Sequence, residues 1–586
     1  MEEQMLPIGE KELQGFLKTL QSYKAGKART ESRILSSENW WKLRNTAEEK
    51  KDGATRADGF TSRSGWLHNV IVSKHADAVE SYPEPNILPR EEGDTDEARN
   101  LSAIIPCVLE QNDFEQTYSD VMWQKLKTGT GVYKVVWDAS RLNGLGDITI
   151  RRVNLLNLYW EPGITHIQQS RYLFHTELES KEALCQKYPR LTGRLNGKSF
   201  VSTRFLYDDA VDDSDKATVI DVYYRKQVKG KNTLQYAKFV DDVVLYATEN
   251  DFTPGVDIFG NPKACPAEAG LYDHGNYPFV LDTLYPIEGS PCGYGFVDLC
   301  RNPQTEIDLL KTAFVRNARV GAVPRYFSRI DGNVRQDQFL DLEQALVQVS
   351  GNVDEATLRR IEHCPLDGNY ISLLDRTVDE LRQTSGNTEA STGAVTSGVT
   401  AASAIAALQE AAGKGSRDST LNSYRAFSQV VELVIELIRQ FYQMPRQFRV
   451  TGQYGAPQFI TYTNAGLQMQ GYRLPVFDIK ISAQKKSVYT KVSQNELALQ
   501  FFKLGFFNPA MAPQAMLCLE MMDFDGKDAI MGRIAANLQA QAAAMPTAQG
   551  TVSLADVDPI TGKIKQEHAF VRRARQQARD AAAPNN

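Results

Sequence analysis

The sequence predicts a multidomain protein of mixed α+β class, and three observations carry that expectation. The chain has 586 residues, more than one hydrophobic core usually organises. Residues 130–290 hold a succession of short runs rich in β-branched and aromatic residues, among them VYKVVWD, ITIRRVN, YLFHTEL, ATVIDVYYR and TLQYAKFV. Residues 400–442 read as one helical pattern, TAASAIAALQEAAGKGSRDSTLNSYRAFSQVVELVIELIRQFY, which at the usual rise would run about 65 Å. A helix of that length outspans a small domain. It must bridge a large body or pack against copies of itself.

The first 60 residues read as helical and polar, with Trp40, Trp41 and Leu43 as anchors, and Lys50 to Gly59 is a charged break. A second helix is expected from about Trp66 to Ala78, stopping before Pro83, Pro85 and Pro89. A third helical pattern runs from Asp96 to Lys127, carrying Leu101, Ile104, Leu109, Phe114, Val121 and Leu126. TGTG then leads into the first strand, and LNLYWEP and DVVLYAT add two more. Helical character returns over 295–322. Residues 323–368 form a compact mixed insert with Pro324 at its start and Pro365 near its end. A short helix follows from Asn369 to Gln383. The polar loop SGNTEASTGAVTSGV, at 385–399, feeds the long helix. After Pro445 come the strands FRVTG, FITYT and FDIKISA, then helices from Ser493 to Ala544. The tail from Pro546 is rich in Ala and Gln and is expected to be partly disordered.

The second half of the long helix repeats apolar residues at Tyr424, Phe427, Val431, Val434, Ile438 and Phe441, steps of three and four that make one stripe. The first half has a narrower stripe of Ala402, Ile405, Leu408 and Ala412. Gly413, Gly415 and Ser416 lie between the halves. Each glycine costs about 1 kcal/mol in a helix interior, and Gly/Ser pairs are kink sites. The pattern therefore predicts one helix bent near Gly413 and Gly415. Two antiparallel helices joined by a GKGS turn are the alternative.

A net charge of −6 advertises no global basic field for nucleic acid. Seven scattered cysteines without a C-x-x-C argue against a disulfide framework and against a zinc site. No signal-peptide pattern is recognised, and no run is apolar enough to span a membrane, since Glu432 and Glu436 interrupt VVELVIELI.

Four motifs invite a chemical reading. GTG at 129–131 follows a helix and precedes a strand, the reverse of a phosphate-binding turn, and reads as a connector. GKGS at 413–416 resembles the end of a Walker motif, but Leu408 stands where the first glycine is required, and both flanks are helical. DDAVDDSD at 208–215 has no central glycine for a calcium loop and reads as a solvated loop. His68 and His75 are seven apart, whereas helical metal pairs sit four apart. No catalytic, metal or cofactor residue is assigned. An enzyme acting on nucleic acid through GKGS or the acidic loop is retained as an alternative.

From 301 to 325, Arg301, Lys311, Arg316, Arg319 and Arg325 face only Glu306 and Asp308, whereas 336–367 is acidic apart from Arg359 and Arg360. Such a band could be a solvated face or could line a channel for a phosphate backbone.

Several stretches resemble the portal proteins of tailed double-stranded DNA bacteriophages. They are EQNDFEQTYSDVMWQKLKTGTGVYKVVWD from Glu110 to Asp138, ITIRRVNLLNLYWEP ending at Pro162, and PIEGSPCGYGFVDLCRNPQTEIDLL from Pro286 to Leu310. The order of short helix, polar loop and long helix with T-A-A-S-A-I completes the likeness, which spans most of 60–445. The resemblance implies a non-enzymatic ring, usually a dodecamer, at one capsid vertex, with DNA moving through its centre. It implies a wing at 1–294, stem helices at 295–322 and 369–384, and a clip at 323–368. A tunnel loop at 385–399, the long kinked wing helix at 400–442 and wing strands at 443–492 follow. Crown helices at 493–545 and a tail at 546–586 complete the chain.

On that reading Lys311, Arg316 and Arg319 become candidates for the DNA channel. Asn387, Thr388, Glu389, Ser391, Thr392, Thr396 and Ser397 become the tunnel-loop surface, without Lys or Arg to pair with phosphate. Asp337, Asp341, Glu343, Arg359 and Arg360 become the clip's partner surface. The implied partners are further copies of the chain, double-stranded DNA, the terminase large subunit, a head-tail adaptor, and the major capsid and scaffolding proteins. Assembly in the host cytoplasm and a place in the virion follow. Another head-tail structural protein is the nearest alternative.

Overall fold

The computed structural model describes residues 7–43, 62–195, 215–256, 262–322, 326–328, 358–360, 366–387, 402–451, 457–468, 475–485, 499–505, 514, 516–517, 519 and 530–536. The chain divides into two compact units, Met1–Lys486 and Ser487–Asn586. The second contributes short helical stretches at 499–503 and 530–536. The remainder of the expected crown helices, and the tail at 546–586, lie outside the described residues. So do Lys50 to Gly59 and the acidic loop at 208–214.

The first unit opens with α1 (Glu10–Trp41). Its early turns bury Leu13, Phe16, Leu20 and Tyr23, its middle buries Ile34, and Trp40 and Trp41 pack at its end. Leu43, expected as a third anchor, is 42% exposed at a positive φ of 52°, because the helix has already ended. Midway, buried Lys27 donates to the carbonyls of Leu155 and Leu158 at 2.6 Å each, beneath the rings of Tyr159 and Trp160. Burial lowers its pKa from 10.5 to about 8, with Glu31 opposing. Between those values the unfolded chain binds more protons, so this contribution is complete above 10.5 and is lost as pH falls through about 8. Urea melts should show the wild type gaining on Lys27→Met as pH rises across that window, by at most about 3 kcal/mol. A pH-independent difference would refute this account.

After α2 (Trp66–Glu80) the chain does not stop at its prolines but forms β1 (Ser81–Pro89). The reason is parity. Pro83, Pro85 and Pro89 share one edge of the strand, so no ladder amide toward the partner is lost. Ile87, of the same parity, donates its N–H to Ser102 Oγ at 3.1 Å. The other edge pairs antiparallel with a distant strand, bringing Ile87 opposite Ile479.

The apolar pattern read as continuous from Asp96 to Lys127 is two helices, α3 (Thr95–Gln111) and α4 (Phe114–Thr128). Asp113 between them is left-handed, with φ 49° and ψ 44°. Asn112 is held by its own amide to Val108 O (2.8 Å) and by Arg141 donating to its Oδ1 (2.8 Å). Apolar periodicity survives the break because both helices cover one core.

The β-rich part contains β2 (Thr130–Asp138), β3 (Asp147–Arg152), β4 (Leu158–Tyr159) and β5 (Tyr172–Ser180). After α5 (Lys181–Lys187) come β6 (Lys216–Val228), β7 (Lys231–Val240), β8 (Val243–Ala247) and the short pair β9 (Gly255–Val256) and β10 (Pro262–Lys263). After α6 (Pro266–Ala269) come β11 (Phe279–Thr283), β12 (Tyr285–Pro286) and β13 (Gly293–Tyr294). The principal sheets are antiparallel, in the orders β11-β2-β3 and β4-β5-β6-β7-β8.

A buried polar joint connects the two sheets. Lys134 of β2 meets His175 Nδ1 of β5 at 3.2 Å and Asp221 Oδ2 of β6 at 3.1 Å, while Tyr236 donates to Asp221 Oδ1 at 2.8 Å. Burial alone would raise the Asp221 carboxyl. Lys134 and His175 overcome it and hold Asp221 well below the usual carboxylate range.

The chain continues through α7 (Phe296–Ala322), β14 (Tyr326–Ser328), β15 (Leu358–Arg360), α8 (Asn369–Ser385) and α9 (Ala402–Phe441). It closes the unit with β16 (Arg446–Thr451), β17 (Pro457–Tyr462) and β18 (Phe477–Lys485), the last being the partner of β1. The α9 backbone is helical through 413–416, so the two-helix alternative with a GKGS turn falls. Its first-half stripe lies outside the described side chains. In its second half Phe427, Val431, Val434 and Ile438 are buried as expected, but so are Val430, Leu433, Ile435 and Leu437. The helix packs against β2 and β11 and also against β1 and β18, so it is covered on more than one face. Each fully buried side chain of this kind contributes about 1.5–3 kcal/mol relative to exposure.

Candidate functional site

The basic band expected from sequence lies on α7, and the site is built from what holds that helix. Its start crosses the TGTG connector at backbone contact. Gly129 is the left-handed C-cap of α4, with φ 87°. A Cβ there would lie 2.3 Å from the Tyr294 carbonyl carbon. On Gly131 it would meet Val121 Cγ1 at 2.4 Å, on Gly293 the Tyr285 oxygen at 2.4 Å, and on Gly295 the Lys127 oxygen at 2.5 Å. Two G-x-G segments, distant in sequence, thus interdigitate because neither has side chains at the crossing. Thr130 Oγ1 accepts from Gly293 N at 2.8 Å and Gly129 O from Leu284 N at 2.9 Å. Both segments were visible in the sequence. Their meeting was not.

Further along, α7 holds the start of α2 through Gln304, Asp308 and Thr312, one residue per turn. Gln304 Oε1 accepts the Leu67 amide at 3.0 Å, one of the helix N-terminal donors that lack an internal partner. Asp308 Oδ1 accepts from Ser64 N (2.9 Å) and Oγ (2.7 Å), and Thr312 Oγ1 from Ser62 N (3.0 Å). A carboxylate at a helix N-terminus is also favoured by the dipole. The guanidiniums of Arg301 and Arg63 stand 5.6 and 5.7 Å from the Trp40 ring.

α8 folds back on α7. Leu381, near its C-terminus, shares an apolar cluster with Phe296, Val297, Cys300 and Ile307 near the start of α7, whereas β14 and β15 pair beyond the opposite ends. The two helices are therefore an antiparallel hairpin. Its base is buried. Toward the paired strands it exposes Leu309 (63%), Ile371 (56%) and Leu373 (49%). Lys311, Arg316 and Arg319 are all exposed here. At 100° per residue Arg316 and Arg319 are about 60° apart, but Lys311 and Arg316 about 140°. The three do not share one narrow face.

α8 ends at Ser385, two residues beyond the helix read from the sequence and one beyond the implied stem bound, and Gly386 closes it in the left-handed conformation, φ 65°. Asn387, expected on the loop surface, is 7% exposed. Its N–H bonds Arg382 O at 3.0 Å, and its Oδ1 accepts from Ser73 at 3.2 Å. It belongs to the helix cap because the sixth-to-first bond that ends the helix needs its amide. Lys74 donates to Gly386 O at 3.3 Å. Thr388, Glu389, Ser391, Thr392, Thr396 and Ser397 lie outside the described residues, as do Asp337, Asp341 and Glu343. Arg359 and Arg360 lie on β15, opposite Phe327 and Tyr326.

His68 stacks on Trp41 (4.1 Å between centroids) and His75 on Trp123 (3.7 Å), so both have packing partners. Among the described residues no group of three or more His, Cys, Asp or Glu could hold a metal ion, and no helix is long and apolar enough to cross a membrane. A cleft of about 460 Å³ between the 286–292 turn, β11 and α9 is lined by His166, Gln168, Asn276, Gln429 and Glu432. The helical backbone through GKGS commits its amides to the helix, which leaves no cradle for a phosphate.

A family model described as phage P22-like portal protein matches residues 76–256 and 287–584. No curated protein matches the chain. The matched segments cover well over half of the sequence, including β2, β3, the five-stranded sheet, the α7–α8 hairpin and α9. The chain belongs to the phage P22-like portal protein family.

Proposed function

We propose that copies of the chain close into a ring, a dodecamer, at one capsid vertex and that double-stranded DNA passes through it during packaging and ejection. The observation that carries this reading is the family match across both sides of the α7–α8 hairpin. The hairpin itself supports it: a firmly rooted base and a distal part exposing apolar side chains suit an element completed by neighbours in a closed ring. The hairpin is the stem, and 323–368 the clip that meets the terminase large subunit and then a head-tail adaptor through Asp337, Asp341, Glu343, Arg359 and Arg360. The loop at 388–399 forms a collar around DNA, and Gly413 and Gly415 bend α9 away from it. The crown at 493–545 faces the capsid interior, where scaffolding and major capsid proteins act. The role is structural, and no chemical step is assigned to it.

Lys311 and Arg319 belong to the basic band offered to DNA. A few local cations hold a phosphate backbone irrespective of sequence without clamping it. Lys311→Glu combined with Arg319→Glu is expected to leave rings intact in electron-microscopy class averages and to lower packaged DNA several-fold. Full packaging by that variant would remove both residues from the channel. Native mass spectrometry across salt and concentration tests the ring: monomers under every condition would overturn it.

A further inference from the structure

We infer that Arg316 does not face DNA but pairs with Asp375 of the next copy, so that the outer face of α7 in one subunit docks on the outer edge of α8 in its neighbour. The inference rests on the ring reading above and specifies its stem contact.

Three observations support it. The first is pattern. On α7, Leu309, Ala313, Arg316 and Val320 follow steps of four, three and four, and so share one face, centred about 110° round the helix from the Gln304–Asp308–Thr312 row that holds α2. On α8, Ile371, Asp375 and Asp379 are spaced by four and form one edge, centred about 120° round the helix from the buried row of Thr377, Leu381 and Ser385. Leu309 (63%), Ala313, Arg316, Ile371 (56%), Asp375 and Asp379 are exposed in the single chain, and Val320 is half-buried.

The second is charge. The α7 face carries a cation among apolar residues, and the α8 edge carries two carboxylates beside an apolar one. Asp379 has Arg382 at 3.7 Å within its own helix. Among the described residues, Arg316 and Asp375 have no ion-pair partner within the chain, although both stand on ordered helices.

The third is height. Rotation about a ring axis leaves every atom's position along that axis unchanged. A residue therefore meets residues of the neighbour at its own level. In the antiparallel hairpin, Arg316 is six positions from the distal end of α7 at Ala322, and Asp375 six from the distal end of α8 at Asn369. Both are about 9 Å from those ends. Val320 and Ile371 are two positions from the same ends. With the hairpin along the axis and its two distal ends level, a heterologous contact of α7 on the neighbouring α8 sets cation against carboxylate and valine against isoleucine. Because the closed ring repeats the contact at every junction, a modest exposed pair acts many times over.

The test is a charge swap in the full-length chain, read at low salt, where screening is weakest. Arg316→Glu and Asp375→Arg should each lower the ratio of rings to free subunits by about tenfold or more in native mass spectrometry, since like charges then face at every junction. The double variant should recover most of the loss. Unchanged melting of the free subunits would show that the single variants fold. A second readout is independent of charge. Rings assembled from a mixture of Val320→Cys chains and Ile371→Cys chains should yield covalent dimers on oxidation that neither variant yields alone. Normal rings from both single reversals, no recovery in the double variant, or no mixed dimers would each overturn the pairing while leaving the ring standing. Normal rings with lowered DNA content for Arg316→Glu would return that residue to the channel. Absence of rings from the wild type under all conditions would instead overturn the ring itself.

Discussion

Gly129→Val is expected to be the most damaging single substitution at the root of the α7–α8 hairpin, lowering the stability of the free subunit by roughly 3 kcal/mol or more. Two penalties combine. The backbone at Gly129 is left-handed, φ 87°, and the new Cβ would lie 2.3 Å from one backbone carbon of Tyr294 and 2.5 Å from another. Backbone on the receiving side cannot rotate away as a side chain can. The strand β13 or the first turn of α7 must move instead. Gly163→Val separates the two effects. Its φ is 85°, almost the same, but nothing lies within 4 Å of where a Cβ would sit. That variant should lose only about 1–2 kcal/mol. Denaturant midpoints of the two free subunits measure the difference, and equal losses would show that close approach at Gly129 matters little. Gly295→Ala, facing the Lys127 oxygen at 2.5 Å, should fall on the Gly129 side of the comparison. The consequence for assembly is direct. α7 takes its direction from this crossing, so a displaced crossing tilts the α7–α8 hairpin, and on the proposed ring reading rings of regular width should fail to form.

That crossing also shows what the sequence reveals and what it withholds. The helix-to-strand order around TGTG was legible, since periodicity changes from 3.6 to 2 at the glycines. The strands from VYKVVWD to DVVLYAT, the helices α7 and α8, and α9 were legible for the same reason. Their periods are long, and local propensity agrees with tertiary role. The contact of TGTG with CGYG was not legible, because a close approach leaves only the absence of side chains as its mark, and glycines in turns leave the same mark. The strand β1 was hidden by its prolines, which signal a break until their shared parity is noticed. Its pairing with β18 was hidden by distance: Arg90 meets Asp478 at 2.7 Å across 388 positions. The break at Asn112 and Asp113 escaped because the apolar stripe continues through it. At the candidate site, the exposure of Lys311, Arg316 and Arg319 agrees with a charge run on a helix. The wide spread of their azimuths was already implied by spacings of five and three, with Lys311 and Arg316 the farthest apart.

Lys125→Met is expected to cost about 3–5 kcal/mol, the range for removing one partner of a buried ion pair. Lys125 of α4 lies with no exposed side-chain surface against Asp282 of β11, equally buried, at 2.6 Å. It also donates to Ser423 Oγ (2.7 Å) and Ser419 O (3.0 Å) of α9. One ammonium therefore fastens the long helix to the three-stranded sheet. Without it, Asp282 keeps a buried carboxyl whose Oδ2 already lacks a hydrogen-bond partner. Burial pushes the Asp282 carboxyl up, with Lys125 only partly offsetting this even in the wild type, and the variant removes the offset. A raised carboxyl gives its stability below the unfolded value and loses it as pH rises through the folded value. The deficit of Lys125→Met should therefore be smallest near pH 4 and widen toward neutrality, read as the difference in urea midpoints from the wild type. Lys125→Met with Asp282→Leu should recover most of the loss, because an apolar pair of similar volume escapes the desolvation of both charges. A double variant as unstable as the single one would show that the geometry around Ser423, rather than the stranded carboxylate, holds α9 in place.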